Sequence, residues 1–79
     1  MPNPVITRTH FDRDGRPVTV TLPETSLADA TTATLRHAEK TYKHAKVVHM
    51  FPDRVGIRGF NDPNYMQFGQ GYYLNIEQK

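Results

Sequence analysis

One stretch of the chain carries apolar and small residues at helical spacing, and strand-like alternation occupies both sides of it. From Leu27, the positions Thr31, Thr34, Leu35, Ala38, Tyr42 and Ala45 fall on a single stripe, mostly three or four residues apart as one helix face requires. Arg36, Lys40 and Lys43 lie on the opposite side. A lone helix covers only one face of a sheet, so a chain built this way leaves the other face open. Ser26-Leu27-Ala28-Asp29 supplies the start, a capping box with Asp in place of the usual Glu or Gln. The stripe is made of small residues with one large tyrosine, which predicts close approach of helix to sheet. Its threonines lower helix propensity, so packing must hold it in place.

The flanking segments read as strands. Val5 to Phe11 and Val18 to Leu22 alternate around Asp14-Gly15, a strong short hairpin signal. A two-residue turn there pairs Phe11 with Val18, Thr9 with Val20 and Thr7 with Leu22. Those residues then share a face with Val5, and Arg8, His10, Thr19 and Thr21 share the other. After the helix, Val47 to Phe51 and Arg54 to Arg58 flank Pro52-Asp53, a second turn. Pairing across it sets Met50 against Val55 and Val48 against Ile57, and leaves His49, Phe51, Arg54 and Arg58 on the other face. Asn61 to Gln70 is rich in turn residues and reads as a loop. A last strand, Tyr72 to Ile76, points Tyr72, Leu74 and Ile76 inward and Tyr73 and Asn75 outward. The expected fold is α+β, a largely antiparallel sheet of about five strands with one helix on one face, ordered ββαβββ over a single domain, residues 1–79. The helix could link one parallel pair. The covered face is expected to take Val18, Val20, Leu22, Val48, Met50, Val55, Ile57, Leu74 and Ile76.

Size narrows the functions open to such a fold. Leu, Ile, Val and Phe number 17 of 79 residues, enough for a thin core and too few for a deep enclosed pocket. Cysteine is absent, which removes disulfides, thiolate nucleophiles and cysteine zinc sites together. No stretch approaches the roughly 18 apolar residues of a membrane span. Met-Pro-Asn-Pro-Val-Ile-Thr-Arg has neither the basic start nor the apolar run of a signal peptide. The cytoplasm of a bacterial host is therefore the expected compartment.

Catalytic and metal-binding patterns do not assemble on paper. Asp12-Arg13-Asp14-Gly15 opens like a calcium loop, but no Glu follows near Val20 to Pro23 to complete the ligand set. His37 and His44 stand seven apart on one helix flank, about 10 Å along the axis and too far for one ion. Ser26 is the only serine and is spent on the cap. Gly56, Gly59, Gly69 and Gly71 feed no helix N-terminus, so they make no phosphate loop. We therefore expect no enzyme, no cofactor and no metal site.

Charge is unevenly placed. Arg36, Lys40, Lys43, Lys46, Arg54 and Arg58 face only Glu39 and Asp53 across the middle of the chain, a net of +4. The remainder carries a net of −2. The open sheet face is expected to present Arg8, His10, His49, Phe51, Arg54, Arg58 and Tyr73, cations interleaved with rings, as single-strand nucleic-acid binders use. Tyr65, Met66 and Phe68 put large apolar groups into the polar loop, where Tyr and Phe make good interface anchors. The candidate partner-binding residues are thus Arg36, Lys40, Lys43, Phe51, Arg54, Arg58, Tyr65 and Phe68.

In size and in its order of hairpin, helix from Ser26, hairpin around Pro52-Asp53 and last strand, the chain resembles small phage-encoded anti-CRISPR proteins that act on type I effector complexes. The resemblance rests on no motif and transfers no residue role. It implies a non-catalytic inhibitor that binds a larger protein or nucleoprotein complex, a CRISPR effector, and blocks it or its access to DNA. The alternative is a small protein that binds nucleic acid directly on its basic, aromatic sheet face. Either is expected to work as a monomer or a homodimer, with the exposed rings available for pairing.

Overall fold

The computed structural model describes residues 4–78; the N-terminal residues 1–3 and the charge of Lys79, both used in the sequence reading, lie outside them. The chain runs β1 (Pro4–Phe11), β2 (Pro17–Leu22), α1 (Leu27–Glu39), β3 (His44–Phe51), β4 (Arg54–Phe60), a 3₁₀ helix (Pro63–Phe68) and β5 (Gln70–Gln78). The strands form one sheet in the order β2-β1-β5-β4-β3, and every pairing is antiparallel. This is the expected small α+β fold. The helix links no parallel pair: it carries the chain from β2 at one edge to β3 at the other. Among the described residues no helix is long and apolar enough to cross a membrane.

The first hairpin turns differently from the two-residue expectation. Asp12 C=O accepts from Gly15 N–H at 3.0 Å, Arg16 C=O accepts from Asp12 N–H at 2.9 Å, and Gly15 has φ +79°. That is a three-residue loop with glycine at its left-handed position. The Asp12 carboxylate fixes it by accepting from the N–H groups of Asp14 and Arg16, each at 2.9 Å. The extra loop residue shifts the register by one, to Thr9↔Thr19, Arg8↔Val20 and Ile6↔Leu22. A shift of one moves every side chain to the other face. Val18, Val20 and Leu22 keep the helix-side face, but on β1 that face now carries Ile6, Arg8 and His10. Val5, Thr7, Thr9 and Phe11 go to the open side.

The helix begins at the Ser26 cap, whose Oγ accepts from Asp29 N–H at 3.2 Å, and stops at Lys40. It is shorter than the stripe implied. Thr41 and Tyr42 both donate to Ala38 C=O, and Asn61 Oδ1 accepts from Lys43 N–H at 3.0 Å. Those bonds turn the chain into β3, so His44 pairs opposite Phe60 on a strand and shares no helix flank with His37. Ala30, Thr31, Thr34 and Ala38 are buried. Their small size lets α1 lie close, and a Cβ on Gly59 would meet Tyr42 Cδ2 at 2.8 Å and Ala38 Cβ at 3.3 Å.

The core comprises Ile6, Val55, Ile57, Tyr72 and Leu74 from the sheet with Ala30 and Ala38 from α1. Full burial of each large aliphatic contributes roughly 1.5–3 kcal/mol. β3 carries a bulge between Val47 and His49, so Val47 faces Ile57 where Val48 was expected. Val48 and Met50 are exposed and lie outside the core. Val20, also expected beneath the helix, is 37% exposed, because α1 packs on β3, β4 and β5 and the β1–β2 hairpin extends past it. Tyr72, Leu74 and Ile76 face inward as expected.

Candidate functional site

The second hairpin and β5 build the open face. In the registers Phe51↔Arg54, His49↔Gly56 and Gly56↔Tyr73, these residues share one side of the sheet with Thr9, Asn75 and Arg58. No helix covers them. Phe51 is 47% exposed and Tyr73 38%, both far above the exposure of core rings. The Arg54 guanidinium carbon stands 4.8 Å from the Phe51 ring centre, a cation–π distance. The His49 ring lies 5.6 Å from that of Phe51, and Phe11 meets Tyr73 edge-on at 6.3 Å. His49, Phe51, Arg54, Tyr73 and Asn75 rim a shallow hollow.

Two glycines make this surface flat. A Cβ on Gly56 would meet the His49 ring, with Nδ1 at 2.6 Å, so the imidazole lies across bare backbone. A Cβ on Gly71 would meet Tyr73 Oη at 3.0 Å and Arg58 Nη1 at 3.4 Å. Glycine inside a strand weakens it and marks a close approach. Here the approach is by the His49 ring over Gly56 and by the hydroxyl end of Tyr73 over Gly71.

The predicted residues do not all come together. Phe51 and Arg54 sit side by side at the tip of β3–β4 on the open face. Arg58 reaches that face half-buried and engaged: Nε donates to Met66 C=O at 2.7 Å and Nη2 to Gln67 C=O at 3.1 Å. It ties the 3₁₀ helix to β4. Tyr65 and Phe68 are exposed on that helix and stack at 5.9 Å, forming a second apolar spot beside Asn61 and Asp62. The segment expected as a loop is ordered this way because Asp62 Oδ1 accepts from Asn64 N–H at 2.9 Å and Pro63 opens the turn. Arg36 and Lys40 are exposed on the last turn of α1, on the other side of the sheet, with Lys43 in the turn that follows. The basic block is therefore split over two faces.

Arg8 and His10 are absent from the open face, displaced by the register of β1. Phe11 takes a place there that the sequence reading gave to the covered side. Gly56 and Gly71 stand within strands, and an isolated glycine in a strand is the sequence sign of such a close approach. Among the described residues no three His, Asp or Glu side chains gather to hold a metal ion. Comparison with known proteins found no matching family model, no matching curated protein and no matching solved structure.

Proposed function

We propose that the chain is a non-catalytic binding protein that docks its open sheet face, centred on His49, Phe51, Arg54 and Tyr73, on an acidic surface of a larger nucleoprotein complex and inhibits it. The observation that carries this reading is the uncovered pair of Phe51 and Arg54 at 4.8 Å, beside the His49 ring over Gly56 and the exposed Tyr73. A ring and a guanidinium side by side on an uncovered face are the residue types that dominate binding energy at interfaces. A type I CRISPR effector is the proposed target, on the resemblance in size and element order. The test is binding of the purified chain to a purified type I effector complex, with Phe51→Ala and Arg54→Glu as probes. Wild type is expected to bind and to block target DNA capture, and either substitution to cost about 2 kcal/mol or more with the fold intact. Equal binding by both variants would refute the face as the contact.

The exposed rings of Phe51 and Tyr73 beside Arg54 also favour a second reading, direct binding of single-stranded nucleic acid, since exposed rings stack on bases. Anisotropy of labelled oligonucleotides at about 50 and 200 mM salt separates the two. Affinity that falls steeply with salt and drops by about 1–3 kcal/mol in Phe51→Ala supports the nucleic-acid reading. Absence of oligonucleotide binding leaves the protein-docking one.

A further inference from the structure

The two edges of the sheet are built differently. β3, at one end, carries Lys46 and a bulge between Val47 and His49, two devices that keep sheet edges apart. β2, at the other end, carries neither. Its residues Pro17-Val18-Thr19-Val20-Thr21-Leu22 bear no charge, and its register with β1 runs unbroken from Pro17 to Leu22. The middle of the strand is β-branched throughout, as strands favour. Among the described residues β1 is the only strand beside it.

The first hairpin fixes which backbone groups β2 turns outward. Asp12 N–H donates to Arg16 C=O, and bonded pairs recur at every second position of an antiparallel ladder. Val18, Val20 and Leu22 therefore bond back to His10, Arg8 and Ile6. Pro17, Thr19 and Thr21 turn their backbone groups away from β1. The hydroxyls of Thr9 and Thr19 accordingly meet at 2.9 Å, as the closer side chains of a non-bonded pair do. On the helix side, Val18, Val20 and Leu22 form an apolar strip that α1 leaves exposed at Val20.

The segment from Arg16 to Glu24 is complementary to itself. Turned end for end about Val20, it sets Arg16 against Glu24, Val18 against Leu22, Thr19 against Thr21 and Val20 against Val20. Apolar residues meet apolar ones and each charge meets its opposite, the pairs that stabilise neighbouring strands. Pro17 and Pro23 meet where neither has an N–H to satisfy. Thr19 and Thr21 become a bonded pair and exchange both backbone hydrogen bonds. A slip of two residues would set Glu24 against Val18 or Arg16 against Leu22, so the charges select this register. We propose that β2 pairs antiparallel with β2 of a second copy of the chain in this register, joining two sheets edge to edge. The two-fold axis then stands perpendicular to the sheet, so both copies present Phe51 and Arg54 on the same side. β2 and β3 are opposite edges, so the pairing is independent of the docking reading.

Sedimentation equilibrium and cross-linking test the proposal. Contact along one edge is small, so the wild-type chain is expected to form reversible dimers with a Kd of about 10–100 µM. Arg16→Glu and Glu24→Arg, both outside the strand, are each expected to weaken the dimer about 10-fold. The two exchanges together are expected to restore it. The chain has no cysteine, so a single introduced thiol reports the register. Val20→Cys stands opposite itself at a non-bonded position, with Cβ atoms about 4.5–5.5 Å apart, and is expected to close a disulfide after a small adjustment under mild oxidation. Val18→Cys, opposite Leu22, is expected to remain a single chain. The pairing would be overturned by wild type that sediments as single chains up to about 500 µM, by cross-linking at position 18 as ready as at 20, or by a double exchange no tighter than the single ones.

Discussion

Gly69→Ala should be among the most damaging single methyl additions to this chain. Gly69 is not left-handed, with φ −86° and ψ −163°, so its role is space. A Cβ there would collide with Gly59 O and stand 2.9 Å from Gly59 C and 3.1 Å from Phe60 Cα. All three are backbone atoms of β4, and none can swing aside. The entry to β5 and the end of the 3₁₀ helix must move off β4. That movement strains the two hydrogen bonds from Arg58 to Met66 and Gln67 and loosens the cover over Phe60, now 6% exposed. Overpacking of this kind costs about 1–3 kcal/mol, and weakening two hydrogen bonds from a charged donor, one of them exposed, adds about 1 kcal/mol. The sum is about 2–4 kcal/mol. In a domain of this size that lowers Tm by roughly 10–25 °C, read by circular dichroism melts. Gly56→Ala is the matched control. The atoms nearest its Cβ all belong to the His49 ring, an exposed side chain that can turn toward solvent, and alanine recovers about 0.5–1 kcal/mol of backbone entropy. Its Tm should stay near wild type. A Gly69→Ala protein that melts with Gly56→Ala would refute the close approach of β5 to β4.

Three further outcomes are expected. Leu74→Ala removes a fully buried side chain from the centre of the sheet and should cost about 2–5 kcal/mol in urea unfolding; a smaller loss would mean the core lies elsewhere. Gly15→Ala forces a side chain into φ +79° and should cost about 1 kcal/mol, with amide shifts confined to the β1–β2 turn. The third concerns pH. Because His37 is held below the usual imidazole range in the folded state, the unfolded chain takes up the proton more readily. Stability should therefore fall as pH drops through about 6.5 and on to the lower folded value. The exposed setting of His37 keeps the effect small, and His37→Asn should flatten it in thermal melts.

The helix, the number of strands and the antiparallel second hairpin were legible in the chain because each had a local cause. Ser26 marks the cap, Pro52-Asp53 the turn, and the alternation of Tyr72, Leu74 and Ile76 the last strand. The faces of β1 were not legible. They hang on whether the turn holds two residues or three, and that was decided by hydrogen bonds to the Asp12 carboxylate. A single-residue difference sent Arg8 and His10 to the helix side and Phe11 to the open one. Arg58 looked like a free cation in the sequence, yet its fork is taken by two carbonyl groups eight and nine residues on.

Residue pattern by itself determined an α+β chain with one helix, and hence one uncovered sheet face, since local spacing and capping need no distant partner. Only the tertiary structure decided which rings and cations meet on that face. Their meeting depends on strand register, on the bulge in β3 and on where α1 crosses the sheet, all of which are set by contacts between residues far apart in the chain.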